Sequence, residues 1–262
     1  MIELLQLMVL AVVQGLTEFL PVSSSGHLVL LQHAMGVREG DALFNVVLHC
    51  GTLGSVLVVY RREVLRLLRF DSAAIRYLIS LAVATLPAVV VGLLASDLIV
   101  GLFGSPRFAA GGLILTALVL FSSRLVRTDT RALPEPWEPL AMPPPKALMI
   151  GLAQSLAILP GVSRSGSTIG ISLWLGVPRA EAARFSFLLS VPVIAGALVL
   201  SIVRGEVHGR EDQLLMVAAA VAAFGVGLLA IRWTALAVVQ DHFWKFGFYC
   251  LALGILVFAL IS

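Results

Sequence analysis

The sequence predicts an all-α polytopic membrane protein built as an inverted-topology repeat. Of its 262 residues, 59% are hydrophobic and only 13% are charged, whereas a soluble domain carries about 25% charged residues. Several apolar stretches approach the ~20 residues that a helix needs to cross a bilayer. A polar motif also occurs twice, once in each half of the chain. These observations exclude a soluble domain, and membrane topology explains the net charge of +3 without nucleic-acid binding.

The first copy of the motif is QGLTEFLPVSSSGH, at residues 14–27. It lies between a helical apolar run that ends at Leu20-Pro21 and a second short run that ends near Met35. Neither run comfortably spans a bilayer alone, so we predict a re-entrant helical hairpin over about residues 2–35. Irregular backbone at membrane depth is tolerated only where it is buried in protein or lines a wet cavity.

Three apolar runs follow this hairpin and complete a first repeat over residues 1–128. We predict transmembrane helices there at about 43–60, 77–95 and 108–123. Residues 129–146 contain six of the twelve prolines. Because proline at that density resists helix formation and acts as a semi-rigid spacer, we predict a linker on the cytoplasmic side.

The pattern restarts after the linker, and the second repeat occupies residues 147–262. Its motif is QSLAILPGVSRSGST at residues 154–168, which predicts a second re-entrant hairpin over about 147–175. Three more transmembrane helices are predicted, at about 185–203, 214–231 and 246–261. The two repeats are expected to form one integrated membrane domain.

Each half is therefore one hairpin plus three spans, and an odd number of spans turns the second half upside-down. The distribution of Lys and Arg tests this topology, because cytoplasmic loops carry an excess of positive charge. The loops assigned to the cytoplasm hold 13 of the 18 basic residues: 61–76, 124–146, 179–184 and 232–245. The first hairpin then enters from the extracytoplasmic face and the second from the cytoplasm.

The two motifs align with an offset of 140 residues. Gln14 then corresponds to Gln154, and a Ser-x-Ser-Gly pattern recurs in the two turns. Ser24 corresponds to Arg164, so the first copy supplies the intramembrane acid Glu18 and the second copy supplies a cation. We predict that the two copies face each other and share one site near the membrane midplane.

Glu18 is the strongest single signal, because it is the only acid well inside an apolar stretch. An acidic residue at the bilayer centre costs roughly 3 kcal/mol on insertion scales. Glu18 is therefore either functional or an interhelical contact that holds helices together. Gln14 lies one helical turn earlier and on the same face, and we predict that it contacts substrate.

Arg164 is the only base in a comparable position, and it either binds an anion or only neutralises Glu18. A helix N-terminus attracts anions, and a guanidinium grips phosphate in a bidentate way. The alternative for this segment is a plain serine-rich turn. The predicted phosphate cradle consists of the glycine and hydroxyl positions around Arg164, namely Gly161, Ser163, Ser165, Ser167 and Thr168.

The first turn supplies the candidate nucleophile. Ser23, Ser24 and Ser25 are weak signals taken singly, because serines cap helices routinely, but one of them is the obvious nucleophile for a covalent mechanism. We expect Ser23 and Ser25 to contact substrate. His27 titrates near neutral pH and lies three residues after Ser24. For His49, core hydrogen bonding explains the residue at least as well as function does.

With Gln14, Glu18, FLPVSSSGH and PGVSRSGST in hand, the chain resembles the undecaprenyl-diphosphate phosphatase family, the bacitracin-resistance proteins. The likeness extends to residues 44–60 and 184–197 and to the final span. Gln14 is a departure, since many relatives carry glutamate there, although the family pattern admits either residue. Glutamine weakens any scheme that needs two carboxylates at this turn for a metal.

The resemblance implies hydrolysis of undecaprenyl diphosphate to undecaprenyl phosphate and inorganic phosphate. This reaction recycles the lipid carrier for cell-wall synthesis in the bacterial inner membrane and confers bacitracin resistance. By position, the family's catalytic roles fall on Glu18, Ser24, His27 and Arg164, with a divalent cation, Mg²⁺ or Ca²⁺, at Glu18. The implied partners are the polyprenyl diphosphate and membrane lipid, and a homodimer is left open.

Two other classes have to be weighed. An enzyme of the phosphatidic-acid-phosphatase type would need a histidine six residues after Arg164, where Gly170 stands, so we reject that class. A polyprenyl-phosphate flippase or secondary transporter can use the same inverted-repeat architecture. A transporter need not keep a nucleophile, a base and a phosphate clamp together, and this site distinguishes the two.

Overall fold

The computed structural model describes residues 2–37, 42–126, 137–204 and 213–261. These residues form α-helices, short 3₁₀ turns and connecting loops, and no β-strand occurs in the described ranges. Five helices are long and apolar enough to cross a membrane, or six if one bent helix pair is counted as a single span. The prediction of an all-α polytopic membrane protein is therefore confirmed.

The helices of the first half include two that the sequence did not predict. The bounds are α1 Ile2–Thr17, α2 Ser24–Met35, α3 Ala42–Val59, α4 Arg61–Leu67, α5 Ser72–Leu94, α6 Ser96–Phe103 and α7 Pro106–Ser122. The unpredicted helices are α4 and α6, and α4 bends by 78° from α3. This bend directs α4 away from the axis of the preceding span.

The second half begins inside the predicted linker. Its helices are α8 Pro144–Leu156, α9 Arg164–Trp174, α10 Arg179–Val203, α11 Gln213–Val239 and α12 Phe246–Ile261. Pro144 and Pro145 occupy the first positions of α8, where a missing N–H leaves no intrahelical hydrogen bond unmade. The linker residues 129–136 lie outside the described ranges.

Helix α1 ends at Thr17, three residues earlier than the apolar run suggests, so Glu18 lies in the turn that follows. The Glu18 N–H still donates to the carbonyl of Gln14 at 2.9 Å. The one-turn spacing of Gln14 and Glu18 is therefore kept. The pairs α1–α2 and α8–α9 are each two short helices joined by a turn; their re-entry into one membrane face stays a prediction.

Helices that correspond by the repeat offset pack in exchanged pairs. Helix α1 packs on α11, while its counterpart α8 packs on α5, the counterpart of α11. Both contacts are close: a Cβ added at Gly15 would lie 2.6 Å from the carbonyl oxygen of Ala223, and one at Gly151 would lie 2.6 Å from that of Ala84. Two-fold-related halves would pack in this way, and their inversion across the membrane stays a prediction.

The four segments with most of the positive charge meet at one end of the bundle, which we call the basic end. Three side-chain ion pairs join different segments: Arg66–Glu138 at 3.0 Å, Arg179–Asp241 at 2.8 Å and Arg184–Glu63 at 3.4 Å. Segments whose side chains pair in this way must lie on the same side of the membrane. The assignment of this side to the cytoplasm stays a prediction.

Candidate active site

The two motif turns contact each other. A Cβ added at Gly26 would lie 2.9 Å from the Cα of Gly161, so the start of α2 lies directly against the second turn. Gly161 has a φ of +85°, in the left-handed region that glycine adopts without strain. In addition, the Ser165 hydroxyl donates to the carbonyl of Leu20 at 3.1 Å. The two motifs therefore face each other, as predicted, while their use as one functional site stays a prediction.

Both turns start the following helix with the same serine cap. The hydroxyl of Ser23 accepts a hydrogen bond from the N–H three residues later at 3.2 Å, and that of Ser163 does the same at 3.0 Å. In each turn the cap hydroxyl also lies 3.2 Å from the hydroxyl two residues on, Ser25 and Ser165 respectively. A serine cap satisfies an N–H that the helix leaves without an intrahelical partner.

The Glu18 carboxylate is the centre of the site. One oxygen, Oε1, accepts a hydrogen bond from Nη2 of Arg164 at 2.8 Å. The other, Oε2, accepts from the Ser24 hydroxyl at 2.7 Å and from Nε2 of Gln14 at 3.0 Å. Nδ1 of His49 lies 3.5 Å from the same oxygen. The acid of the first motif and the cation of the second are therefore in direct contact.

Arg164 is held by α10 through its side chain and by Thr168 through its backbone carbonyl. Its Nη1 donates to the carbonyl of Ser186 at 3.2 Å. The Thr168 hydroxyl donates to the carbonyl of Arg164 at 2.8 Å and lies 2.6 Å from the Ser186 hydroxyl. Thr168 itself is fully buried. Thr168 therefore supports Arg164, whereas the sequence placed it in the phosphate cradle.

A cavity of about 280 Å³ opens beside this group. Its polar lining consists of Thr17, Glu18, Ser24, Ser25, His49, Gln154, Ser163 and Arg164. The rest of its wall is apolar and comes mainly from α10 and the turn after α8, with single residues from α3, α5 and α6. Three of the four predicted catalytic residues, Glu18, Ser24 and Arg164, thus face one cavity.

The remaining predicted site residues are not among those that line the cavity, namely Gln14, Ser23, His27, Gly161, Ser165, Ser167 and Thr168. Gln14 still reaches the site through Glu18. Ser23 caps α2, Ser165 ties the two turns together, and Gly161 allows their close approach. The structure therefore places these residues behind the cavity wall, where they shape the turns.

The ring of His27 hydrogen-bonds to groups other than the Glu18 carboxylate. Its Nδ1 lies 2.7 Å from the carbonyl oxygen of Ser23, and its Nε2 lies 2.7 Å from the hydroxyl of Tyr249. The two rings are nearly parallel, with an interplanar angle of 7°. A carbonyl oxygen can only accept, so Nδ1 carries the proton in the first contact. In this arrangement His27 fixes the peptide group that precedes Ser24.

Sequence reasoning undervalued His49 and missed Tyr249. His49 lies in α3, its side chain is 37% exposed, and its Nδ1 is 3.0 Å from Nε2 of Gln14. A signal was present, because Asn45, His49 and Thr52 recur at helical spacing and place polar groups on one face of an apolar helix. Tyr249 stands alone in an apolar run, and no local pattern marks it.

The residues of the site do not make a complete divalent-cation site. Within the described ranges, no group of three or more His, Cys, Asp and Glu side chains is placed to hold a metal ion. Glu18 is the acidic residue of the cavity lining, and both of its oxygens already accept hydrogen bonds. Mg²⁺ and Ca²⁺ need several oxygen ligands, which this chain would supply only in part.

Comparison with known proteins bears on the identity of this site. The family model described as bacitracin resistance protein BacA matches residues 7–256. A protein named undecaprenyl-diphosphatase from Desulfatibacillum aliphaticivorans is 39% identical over 95% of this chain and 96% of its own length. Proteins of the same name from Rubrobacter xylanophilus and Korarchaeum cryptofilum are 40% and 35% identical, over 100% and 99% of this chain and 99% and 100% of their own lengths. The matches include both motif turns and the helices that carry them.

Proposed function

The chain belongs to the bacitracin resistance protein BacA family, and from this premise we propose that it is a membrane phosphatase that hydrolyses undecaprenyl diphosphate. The products are undecaprenyl phosphate and inorganic phosphate, which returns the lipid carrier to cell-wall synthesis and confers resistance to bacitracin. The observation that carries the proposal is the contact of Ser24 and Arg164 with the two oxygens of Glu18. This contact joins a hydroxyl, a proton acceptor and a phosphate-binding cation at one cavity.

The shape of the site supports a lipid diphosphate as substrate. The cavity around Glu18 adjoins an apolar groove of about 390 Å³ between α5 and α10. The two share the wall residues Ala88, Ile158, Val193 and Ala197. A diphosphate in the cavity would leave its polyprenyl chain in this groove, in contact with apolar side chains and with membrane lipid.

Arg164 is placed to bind the terminal phosphate. Its hydrogen bonds to Glu18 and Ser186 use two of the five N–H groups that a guanidinium carries. The remaining N–H groups are available to phosphate oxygens in the cavity. Because phosphoryl transfer depends mainly on positioning and on neutralising charge, this fixed cation would supply a large share of the rate enhancement.

Glu18 is better placed than His27 to accept the proton from the attacking group. Its Oε2 lies 2.7 Å from the Ser24 hydroxyl, within the range that general-base catalysis requires. Both ring nitrogens of His27 are engaged elsewhere. His49 lines the cavity and is therefore the histidine that is better placed to contact the diphosphate.

Two routes share this geometry. In the covalent route the Ser24 oxygen attacks the terminal phosphorus, its proton passes to Glu18, and the bridging P–O bond breaks to release undecaprenyl phosphate. Water then hydrolyses the phosphoserine to give inorganic phosphate. In the direct route Ser24 positions a water molecule, which attacks the phosphorus and gives up its proton to Glu18. A divalent cation, Mg²⁺ or Ca²⁺, remains part of the proposal: Glu18 would be its protein ligand, and the ion would help to neutralise the charge of the diphosphate.

Phosphate release by the purified protein tests the proposed function. In detergent, the wild-type chain should release phosphate from undecaprenyl diphosphate, and Glu18→Gln should not. A flippase or secondary transporter is not favoured, because the relatives are named as phosphatases. Lipid movement in proteoliposomes without phosphate release would support that alternative and would exclude the phosphatase.

We further propose that the cavity opens to the extracytoplasmic face. It is lined by the later parts of α5 and α10, both of which begin near the basic end. To test this, cysteines are placed at Phe103, which lines the cavity, and at Ala132 of the linker, with Cys50 and Cys250 replaced. A membrane-impermeant thiol reagent added to spheroplasts should label position 103 and spare position 132. The reverse pattern would overturn the proposed sidedness.

The homodimer also stays a prediction, which light scattering of the purified protein would test.

A further inference from the structure

Helix α4 separates two cavities of opposite character at the basic end. One side faces a cavity of about 800 Å³. The segment 61–70, which is α4 and the three residues after it, contributes Arg61, Arg62, Glu63, Leu65, Arg66 and Arg69 to its lining. The other side faces an apolar groove of about 280 Å³, to which the same segment contributes Val64, Leu67, Leu68 and Phe70. Residues three and four apart share a helix face, so the sequence RREVLRLLRF sorts its arginines from most of its apolar residues.

The cavity on the arginine side of α4 carries an excess of positive charge. Arg66 is neutralised by Asp71 and Glu138, at 2.6 and 3.0 Å. The acid of the helix, Glu63, lies 3.4 Å from Arg184. The acids around this cavity are therefore already paired with other cations.

The other three arginines of residues 61–70 have no carboxylate partner among the residues that the structure describes. Arg61 donates to the carbonyl of Val58 at 3.1 Å. Arg62 and Arg69 are exposed, and neither makes a side-chain hydrogen bond or ion pair with a described residue. These three cations are free to bind an anion.

From this arrangement we propose a binding site for an anionic phospholipid of the leaflet that the basic end faces. Its phosphate is bound by Arg61, Arg62 and Arg69, because a guanidinium matches the geometry of phosphate oxygens. One acyl chain lies in the apolar groove on the other side of α4. Basic residues next to a transmembrane helix recognise anionic headgroups in this way.

The apolar residues of α4 and of the three residues that follow it favour a lipid over free phosphate. Leu65, Leu68 and Phe70 are 63%, 56% and 59% exposed, as expected for a short helix that lies in the membrane interface. The groove has no polar wall that a soluble anion could use, since its lining is apolar throughout. None of the residues named for this site lines the cavity around Glu18. Lipid binding is therefore independent of the proposed hydrolysis.

Native mass spectrometry of the purified full chain measures this site. The probes are dioleoyl phosphatidylglycerol, which is anionic, and dioleoyl phosphatidylcholine, which has no net charge. The test variant is Arg62→Gln/Arg69→Gln, and the control is Arg76→Gln/Arg232→Gln, which removes two exposed arginines of α5 and α11 that do not line this cavity. An arginine near an anionic surface is worth about fivefold in binding, so the test variant should retain phosphatidylglycerol about 25-fold more weakly. Phosphatidylcholine binding and phosphate release in detergent should be unchanged in both variants.

Three results would overturn the proposal. An equal loss in the control variant would mean that only the total charge of this end matters, and no loss in the test variant would remove the site. Displacement of phosphatidylglycerol by inorganic phosphate at equal concentration would identify a phosphate site instead. If the arginine variant does not fold, Leu68→Gln/Phe70→Gln keeps the test open. This variant changes only apolar residues of the groove wall. It should weaken phosphatidylglycerol binding while the arginines stay in place.

Discussion

The two motif turns share their serine caps and divide the chemistry between them. Ser23 and Ser163 cap their helices with nearly the same hydrogen bonds. The positions that differ carry the functional groups: Glu18 corresponds to Ile158, Ser24 to Arg164, and His27 to Ser167. The hydroxyl and the carboxylate are thus confined to the first turn and the cation to the second. The comparison teaches that the repeat supplies a scaffold, while the site depends on the differences between the copies.

The two glutamines of the motifs show the same division. Nε2 of Gln14 donates to the Glu18 carboxylate at 3.0 Å. Nε2 of Gln154 donates instead to the carbonyl of Ala84 at 3.1 Å, which ties α8 to α5. The same residue at equivalent positions therefore hydrogen-bonds to the Glu18 carboxylate in one copy and to the scaffold in the other, although Gln154 also lines the cavity.

The largest effect is expected for Glu18→Gln. General-base catalysis contributes roughly 10²–10⁴-fold, and the amide is nearly isosteric with the carboxylate, so phosphate release should fall by about 10³-fold. The melting temperature of the purified variant is measured alongside, because it separates the two roles of Glu18. A stable but inactive variant supports catalysis. A destabilised variant that keeps its activity per folded molecule would show that Glu18 is only the structural partner of Arg164.

Arg164→Lys should have the next largest effect, a loss of about 10²-fold in kcat with the fold retained. An ammonium is a compact point charge and cannot bridge Glu18, Ser186 and a phosphate with a planar fork of N–H groups. Steady-state phosphate release at saturating substrate gives kcat. Near wild-type turnover would remove Arg164 as the phosphate clamp and would leave the second turn without a chemical role.

Most of the fold follows from the sequence because its signals are local. An apolar run of about 20 residues predicts a membrane helix wherever it lies, and the Ser-x-Ser-Gly pattern marks both helix starts. Two predictions from local sequence were incomplete. Helix α1 stops at Thr17 although the next residues are largely apolar, and α4 is a helix although its charges suggested a loop.

The site was predictable only where the repeat itself carried the information. The 140-residue offset predicted the contact of Glu18 with Arg164, because two related halves bring equivalent turns together. The contacts of His49 with Gln14 and of His27 with Tyr249 join residues 35 and 222 positions apart. Such contacts depend on how α3 and α12 pack against the first hairpin, and neither a motif nor a spacing specifies that packing.

The paired substitutions Gln14→Leu and Gln154→Leu sharpen the comparison between the copies. A hydrogen bond to a charged group is worth about 1.5–3 kcal/mol, so Gln14→Leu should lower kcat by about tenfold or more. Gln154→Leu should lower the melting temperature and leave activity per folded molecule within about twofold, because Gln154, although it lines the cavity, donates its hydrogen bond to Ala84 and not to Glu18. Equal losses of activity in the two variants would contradict the division of roles.

The smallest effect is expected for Tyr249→Phe, which removes the hydroxyl that lies 2.7 Å from Nε2 of His27. If His27 positions the backbone before Ser24, the loss of one hydrogen bond of about 1 kcal/mol should lower kcat by about fivefold and leave KM unchanged. Ser167→Ala changes the residue of the second turn that corresponds to His27. It is the matched control, and its kcat should stay within about twofold of the wild-type value. A raised KM in Tyr249→Phe would instead mean that this side of the turn contacts substrate, and an unchanged kcat would show that the contact between His27 and Tyr249 contributes only to packing.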